Sequence, residues 1–512
     1  MLQGKAVAFS ERYDFIVVGA GSAGCALANR LSADPTVSVA LLEAGGADDR
    51  EAIRVPRQYF SLWGTDVDWG YVSTPQTRTA GRSHVMPRGR VLGGTSSLNG
   101  MVYLRGAASD YDGWAAGGCA GWGWHDVVGS FDALEAWLRP TVLEPHNTLT
   151  EAMVEAAVQA GMPFNPAFDS GTLDGAGWNT STIVDGERQN AHRAFIAPIR
   201  DRPNLSVFTG TRVLRLAMEG QRAVGVVAER DGGTVETLQA GEVILCAGAF
   251  DSPRLLLLSG IGPAGHLQQV GIAPIADLPV GENLIDHLLI GIVYTSLQEI
   301  PDVNTWTTEG CAFARSTPDR ADCDTEVSFA KEPHFAPEAN DGMPRFTIIP
   351  GITRPKSRGT VRMTGADPDA ALKIDPNYFS HPDDMAAMIR AVRISREVGQ
   401  QDALAKWNGG EYFPGPGIEC DAEIARYVAE GVSTWFHPVG TCRMGIGEDA
   451  VVDTSLRVHG IAGLRVADAS IMPDIVSVNT NAASTMIGWK AGELIVGAPR
   501  AGRSVGGLAA GG

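Results

Sequence analysis

The sequence is poor in the features that stabilise small or secreted folds. Seven cysteines occur in 512 residues, at 25, 119, 246, 311, 323, 420 and 442; the number is odd and no Cys-x-x-Cys pair occurs. That pattern gives no disulfide framework and no zinc site, so no metal is expected. Basic residues are outnumbered, 41 Lys+Arg against 59 Asp+Glu, for a formal charge of −18. Such a balance disfavours nonspecific binding to nucleic acid or to an anionic membrane. No uninterrupted apolar run reaches the roughly 18–20 residues of a membrane span. Residues 1–10 carry one charge and too short an apolar stretch for a signal peptide, so a soluble cytoplasmic protein is expected. No internal repeat is visible. What is abundant is glycine, 62 residues, with a 44% hydrophobic fraction that permits a sizeable core in two domains or one composite domain.

The glycines are concentrated where they carry meaning. The apolar run 15–18 enters Gly19-Ala-Gly21-Ser22-Ala23-Gly24, and helical spacing follows through Ala26, Leu27 and Leu31. A second apolar run, 37–42, ends at Glu43-Ala44. Strand, glycine turn, helix, strand and acid make a dinucleotide-binding βαβ unit. Gly19 permits the turn, Gly21 lets backbone approach a pyrophosphate, and Gly24 lets helix and strand pack closely. The helix N-terminus offers free N–H groups to the phosphates. Glu43 is placed to accept hydrogen bonds from ribose hydroxyls and would repel a 2′-phosphate, which leaves NAD and FAD. Two further glycine-rich stretches, 89–100 and 248–262, follow; the first offers consecutive amides and hydroxyls to an anion or an electron-rich ring edge.

Taken with Trp435-Phe-His-Pro-Val-Gly-Thr-Cys-Arg-Met444 and Asn479-Thr-Asn481, these stretches resemble the glucose–methanol–choline (GMC) family of FAD-dependent oxidoreductases, from about residue 13 to 495. The first family signature is met over Gly89–Asp112 and the second over Gly248–Gly262. The resemblance implies an α/β fold: a Rossmann-like FAD-binding domain of glucose-oxidase type, plus an α+β substrate domain with an antiparallel sheet. The FAD-binding domain would take residues 1–285, with insertions around 120–200 and a small β-subdomain at 202–247. Residues 286–444 would form the substrate domain, and 445–512 the last part of the FAD domain with a disordered Gly/Ala-rich tail. Strands are expected at 326–330, 345–349 and 359–363, and a helix at 383–399 whose methionines fill the core. The resemblance further implies FAD contacts from Gly19, Gly21, Ser22, Ala23, Gly24, Glu43 and Ala44. Arg90, Gly94, Thr95, Asn99, Gly100, Val102 and Val213 would add to them, with Asp468, Ala469, Asn479 and Thr480 at the flavin end. Leu98 stands where some members attach the flavin to a His, so noncovalent FAD is expected.

Oxidising an alcohol removes a hydroxyl proton and a hydride. The isoalloxazine can take the hydride; a base must take the proton, and His suits this near neutral pH. His437, on a Pro/Gly turn, matches the family's active-site His, and Asn481 matches the second catalytic position, where its amide would orient the substrate oxygen. Asp468 and Ser470 also read as helix caps, and a helix opened by Asn479-Thr480 would direct its positive end at the flavin. Trp435, Phe436 and, more weakly, His334 are pocket candidates; His287 reads as structural, and Cys442 as a buried thiol. The expected substrate is a small primary alcohol: aryl, furanic, or a hydroxymethyl heterocycle of pyridoxine type. A choline-type substrate would need a carboxylate and aromatic faces, which the sequence does not place. The acceptor would be O2, or in an alternative dehydrogenase reading another oxidant; a lyase-like relative is a lesser alternative. Oligomeric state is left open.

Overall fold

The computed structural model describes residues 12–497 except 231, 304, 305, 307, 335–338 and 340. The expectations for the first ten residues and for the tail beyond Gly497 lie outside the described residues. Seven strands form the first sheet. Leu205–Phe208, Val39–Leu42, Arg12–Val18 and Thr234–Leu245 run parallel, in that order, and Leu464–Val466 adds a parallel segment to Thr234–Leu245. Ile16, Val17 and all of Val39–Leu42 are buried, as expected of strands covered on both faces. Val18 pairs with both Leu42 and Leu245. The glycine turn, Glu43 and the 247–248 turn therefore leave the sheet at one level and open on a common crevice, where such sheets bind ligands.

The C-terminal segment closes this half. Helix Asn481–Gly497 lies on helix Ser22–Leu31 so tightly that a Cβ on Gly488 would sit 2.1 Å from the Ala23 carbonyl oxygen. The two ends of the chain thus meet beside the glycine turn.

The second sheet has eight antiparallel strands, in the order Asn408–Phe413, Ile292–Ser296, Arg345–Ile352, Thr325–Ala330, Gly310–Ala314, Gly175–Trp178, with Leu288–Leu289 and Ser433–Thr434 to one side. Helices Thr148–Gln159 and Pro382–Gly399 cover one face, and Met388 fills that core as expected. Strand alternation sends Val327, Phe329 and Ile348 into this core, and Glu326, Ser328 and Ile349 to the opposite face, toward the crevice.

Two expectations change. Strands Thr211–Glu219, Arg222–Arg230 and Thr234–Leu245 are an antiparallel flank of the first sheet, not a separate subdomain, because Thr234–Leu245 is 12 residues long and serves both ladders. Residues 148–178 are not an insertion in the first half: Gly175–Trp178 pairs with Gly310–Ala314, extending the second sheet. The strand expected at 359–363 forms as Thr360–Met363 and, among the described residues, pairs with Leu372–Asp375 as a separate ribbon. Among the described residues no helix is long and apolar enough to cross a membrane, and no cluster of His, Cys, Asp or Glu is arranged to hold a metal.

Candidate active site

A cavity of about 300 Å³ runs from the glycine turn to the inner face of the second sheet. At one end two loops are in contact. Gly19 has φ +101°, and a Cβ there would lie 2.5 Å from the Cys246 carbonyl oxygen. A Cβ on Gly94 would lie 2.6 Å from Gly21 Cα, so the second loop tolerates no side chain where the two meet. The N-terminus of helix Ser22–Leu31 has no side-chain cap, and its first N–H groups are left for an anion. The Glu43 carboxyl is fixed by Ala20 N–H (3.0 Å) and Gly45 N–H (2.9 Å), while burial pushes its pKa up to about 7. This end therefore supplies backbone donors for phosphates and an acceptor for ribose, which fits an adenine dinucleotide.

Most of the anticipated contacts line this cavity: Gly19, Gly21, Ser22, Ala23, Glu43, Ala44, Gly94, Thr95, Asn99, Gly100, Val102, Val213, Asp468, Ala469, Asn479, Thr480 and Asn481. Two do not. Gly24 sits behind the turn, where a Cβ would be 1.9 Å from the Gly19 carbonyl oxygen. Arg90 instead packs its guanidinium 5.0 Å from the ring centre of Trp69, a residue that lines the cavity. Asp468 fulfils the capping role: its carboxyl accepts from Ser470 N–H (2.8 Å) and also from Gly248 N–H (2.8 Å).

At the other end the chain turns sharply at Phe436, whose φ of 64° is uncommon for a bulky residue. The buried Asp286 carboxyl organises this turn. One oxygen accepts from His437 N–H (2.8 Å); the other accepts from the hydroxyls of Thr434 (2.5 Å) and Tyr378 (2.6 Å). Arg88 donates to the Phe436 carbonyl (2.5 Å). Asp286 and Arg88 went unnoticed in the sequence, because neither lies in a motif that identifies a base.

The His437 tautomer follows from its neighbours. His287 Nε2 lies 2.9 Å from the Thr353 carbonyl, which can only accept, so Nε2 carries the proton and Nδ1 is a lone pair. His437 Nδ1, 3.0 Å from His287 Nδ1, must then be the donor. Its Nε2 is left as an acceptor beside the cavity, with the Asn479 Nδ2 amide 3.2 Å away. Burial first, then the repulsion that His287 and the Arg88 guanidinium would exert on a second positive charge, hold the His437 pKa well below 6.5, so the ring is neutral at neutral pH. His287 is more than a packing residue; it fixes which nitrogen of His437 is basic.

The pairing of His437 with Asn481 is corrected. Asn481 Oδ1 accepts from Ser22 Oγ at 2.7 Å, at the glycine turn, and the amide beside His437 is that of Asn479. The two asparagines are separated by one residue, but Asn481 is the first residue of its helix and Asn479 precedes it. Asn479 Oδ1 is buried without a hydrogen-bond partner among the described residues, as expected of a group awaiting a ligand. Trp435, Phe436 and His334 all line the cavity; Trp435 lies parallel to the His437 ring, centres 6.1 Å apart at 11°. Tyr59, Phe60 and Trp63, which no motif marked, complete an aromatic wall.

Residues 13–289 and 355–488 match the GMC oxidoreductase family. The chain belongs to that family. An alcohol dehydrogenase (acceptor) of Pseudomonas putida is 37% identical, over 94% of this chain and 96% of that one. An oxygen-dependent choline dehydrogenase of Brucella ovis is 39% identical, over 94% and 95%. Among solved structures, pyridoxine 4-oxidase from Mesorbium loti superposes with a TM-score of 0.90 at 34% identity, covering 95% of this chain and all of that one. This GMC oxidoreductase is thus an FAD-dependent enzyme acting on alcohols. The cavity's donors fit FAD: Glu43 and the glycine loops would hold its ribose and phosphates, and His437 and Asn479 would stand beside its reacting ring.

Proposed function

We propose that this GMC oxidoreductase oxidises a small primary alcohol, of aryl, furanic or hydroxymethyl-heterocyclic type, to the aldehyde, with O2 as acceptor. The observation that carries the reading is the unprotonated His437 Nε2, which faces the cavity and accepts from the Asn479 amide. In this reading Nε2 takes the hydroxyl proton while Asn479 Nδ2 donates to the alcohol oxygen. The resulting imidazolium keeps its Nδ1–H on His287, which is itself anchored on Thr353. Trp435, Phe436 and Trp63 exclude water and flatten the space available to the carbinol. Bound FAD supplies the two-electron acceptor for the hydride. Noncovalent attachment is supported by Leu98, an aliphatic side chain lining the cavity at the position of the linking His. The O2 assignment draws on the likeness to pyridoxine 4-oxidase.

The test is an anaerobic titration of the bound flavin with benzyl alcohol, hydroxymethylfurfural, pyridoxine, choline and a simple aliphatic alcohol, followed by admission of air. Bleaching by an aromatic or heterocyclic member and recovery in air are expected. Bleaching that air does not reverse would assign another acceptor, and no bleaching with any alcohol would remove the reading.

A further inference from the structure

Two buried glutamates stand on neighbouring strands of the second sheet, and only one is satisfied from within. Glu309, just before strand Gly310–Ala314, accepts from Asn147 N–H (2.9 Å) and lies 3.9 Å from the Lys331 ammonium. Glu326, on strand Thr325–Ala330, is 2% exposed and lines the cavity. No described residue donates a hydrogen bond to it or pairs with it. Burying a carboxyl without a partner is costly, and such a group in a ligand cavity calls for an explanation.

Its surroundings point to the ligand. Glu326 stands directly across the ladder from Gly351, so the two positions share a sheet face. Gly351 has no side chain, and the Trp435 indole occupies that space: a Cβ there would be 2.1 Å from the ring. The indole therefore flanks Glu326 on one side and lies parallel to the His437 ring on the other. A flat substrate whose hydroxymethyl group met His437 would extend along the indole toward the Glu326 carboxyl. The titratable groups lining the same wall are His334 and His437, and the adjacent strand carries the Cys311 thiol. Burial holds all three neutral. Among the described residues no cation offsets the carboxyl, and burial alone pushes its pKa up to about 8.

We propose that Glu326 selects the substrate, its carboxyl sharing a proton with a basic ring nitrogen on the end of the alcohol remote from the hydroxymethyl group. A protonated carboxyl donates to a neutral ring nitrogen, and a carboxylate accepts from a protonated one; in both cases one proton lies between them and total charge is unchanged. A carbocyclic alcohol of the same shape leaves the carboxyl buried and unpaired, which is the strong form of discrimination. A quaternary ammonium has no proton to share. The inference rests on the alcohol-oxidation reading for its chemistry, but binding can be measured without turnover.

The experiment uses the FAD-loaded enzyme and two matched pairs. Binding of 4-methylpyridine and toluene is followed by perturbation of the flavin spectrum, and anaerobic flavin reduction by 4-pyridinemethanol and benzyl alcohol. The nitrogen member should be favoured at least about 30-fold in each pair. Glu326→Leu should cut that ratio at least tenfold; the isosteric Glu326→Gln, whose amide donates but cannot share a proton, should cut it less and abolish the pH dependence of 4-methylpyridine binding. Binding of 4-methylpyridine should weaken above about pH 8, as the carboxyl ionises, with no such change for toluene. Equal affinities in the wild type, an unchanged ratio in both variants, or choline surpassing 4-pyridinemethanol would overturn the proposal. If 4-methylpyridine binds through Glu326 while no alcohol reduces the flavin, the recognition site stands and the alcohol-oxidation reading fails.

Discussion

Glu43 and Glu326 lie at opposite ends of one cavity, and both are buried carboxyls with raised pKa values. Glu43 already accepts two backbone N–H groups, from Ala20 and Gly45. Glu326 accepts none from the described residues. The cofactor end is preorganised by backbone that the glycine motif itself supplies, so it is complete before the ligand arrives. The substrate end leaves Glu326 and Asn479 Oδ1 unsatisfied, and the ligand must complete them. A resident cofactor is served by a finished site, and a transient substrate by one whose unpaired groups reject the wrong molecule.

The strongest way to separate the two ends is His437→Ala. Flavin reduction should fall about 10²- to 10⁴-fold, while FAD content, measured by absorbance after gel filtration, stays at the wild-type level. Equal loss of FAD would merge the two ends into one.

Glu326→Gln should stabilise the fold, the opposite of what its placement in a binding site would suggest. Below the ordinary carboxyl value of 4.5 the group is protonated in both folded and unfolded chains and has no effect. As pH rises toward about 8 the unfolded chain ionises and the folded one does not, so stability is lost across that window. At pH 7.5 the variant should gain about 2–4 kcal/mol, visible as a higher Tm. The gain should vanish near pH 4.5. Glu43→Gln, which weakens a ribose acceptor, should instead lower FAD retention. A Glu326→Gln Tm that tracks the wild type at every pH would show that the carboxyl finds a partner after all.

The smallest effect is that of His287→Phe. Loss of the acceptor for His437 Nδ1–H should slow flavin reduction about tenfold. His287→Asn, whose Oδ1 can accept the same proton, should restore most of the rate. If Phe and Asn behave alike, His287 serves packing only.

The cofactor half was legible because its function is carried by backbone, and backbone behaviour is written in local sequence. Gly19, Gly21 and Glu43 are placed by a strand, a turn and a strand within about thirty residues, a spacing that sequence displays directly. The substrate half depends on neighbours brought together by sheet register. Glu326 matters because Gly351 faces it and Trp435 fills the gap, and three separate segments carry no shared local signal. Gly175–Trp178 was misassigned for the same reason, since its partner strand lies more than a hundred residues later. His437 was found from its motif. Its partner was missed by two positions, because sequence could not say whether Asn479 or Asn481 begins the helix, and that boundary decides which side chain faces the base.

The central claim is that chemistry and cofactor retention are divided between those two asparagines. It is tested most directly by measuring the anaerobic flavin-reduction rate and FAD content of Asn479→Ala and Asn481→Ala side by side. Asn479→Ala should keep its FAD and lose reduction about 10- to 100-fold. Asn481→Ala, which breaks the bond to Ser22, should lose FAD more readily and slow reduction far less once reloaded. Normal reduction in Asn479→Ala, with a large loss in FAD-loaded Asn481→Ala, would contradict the account.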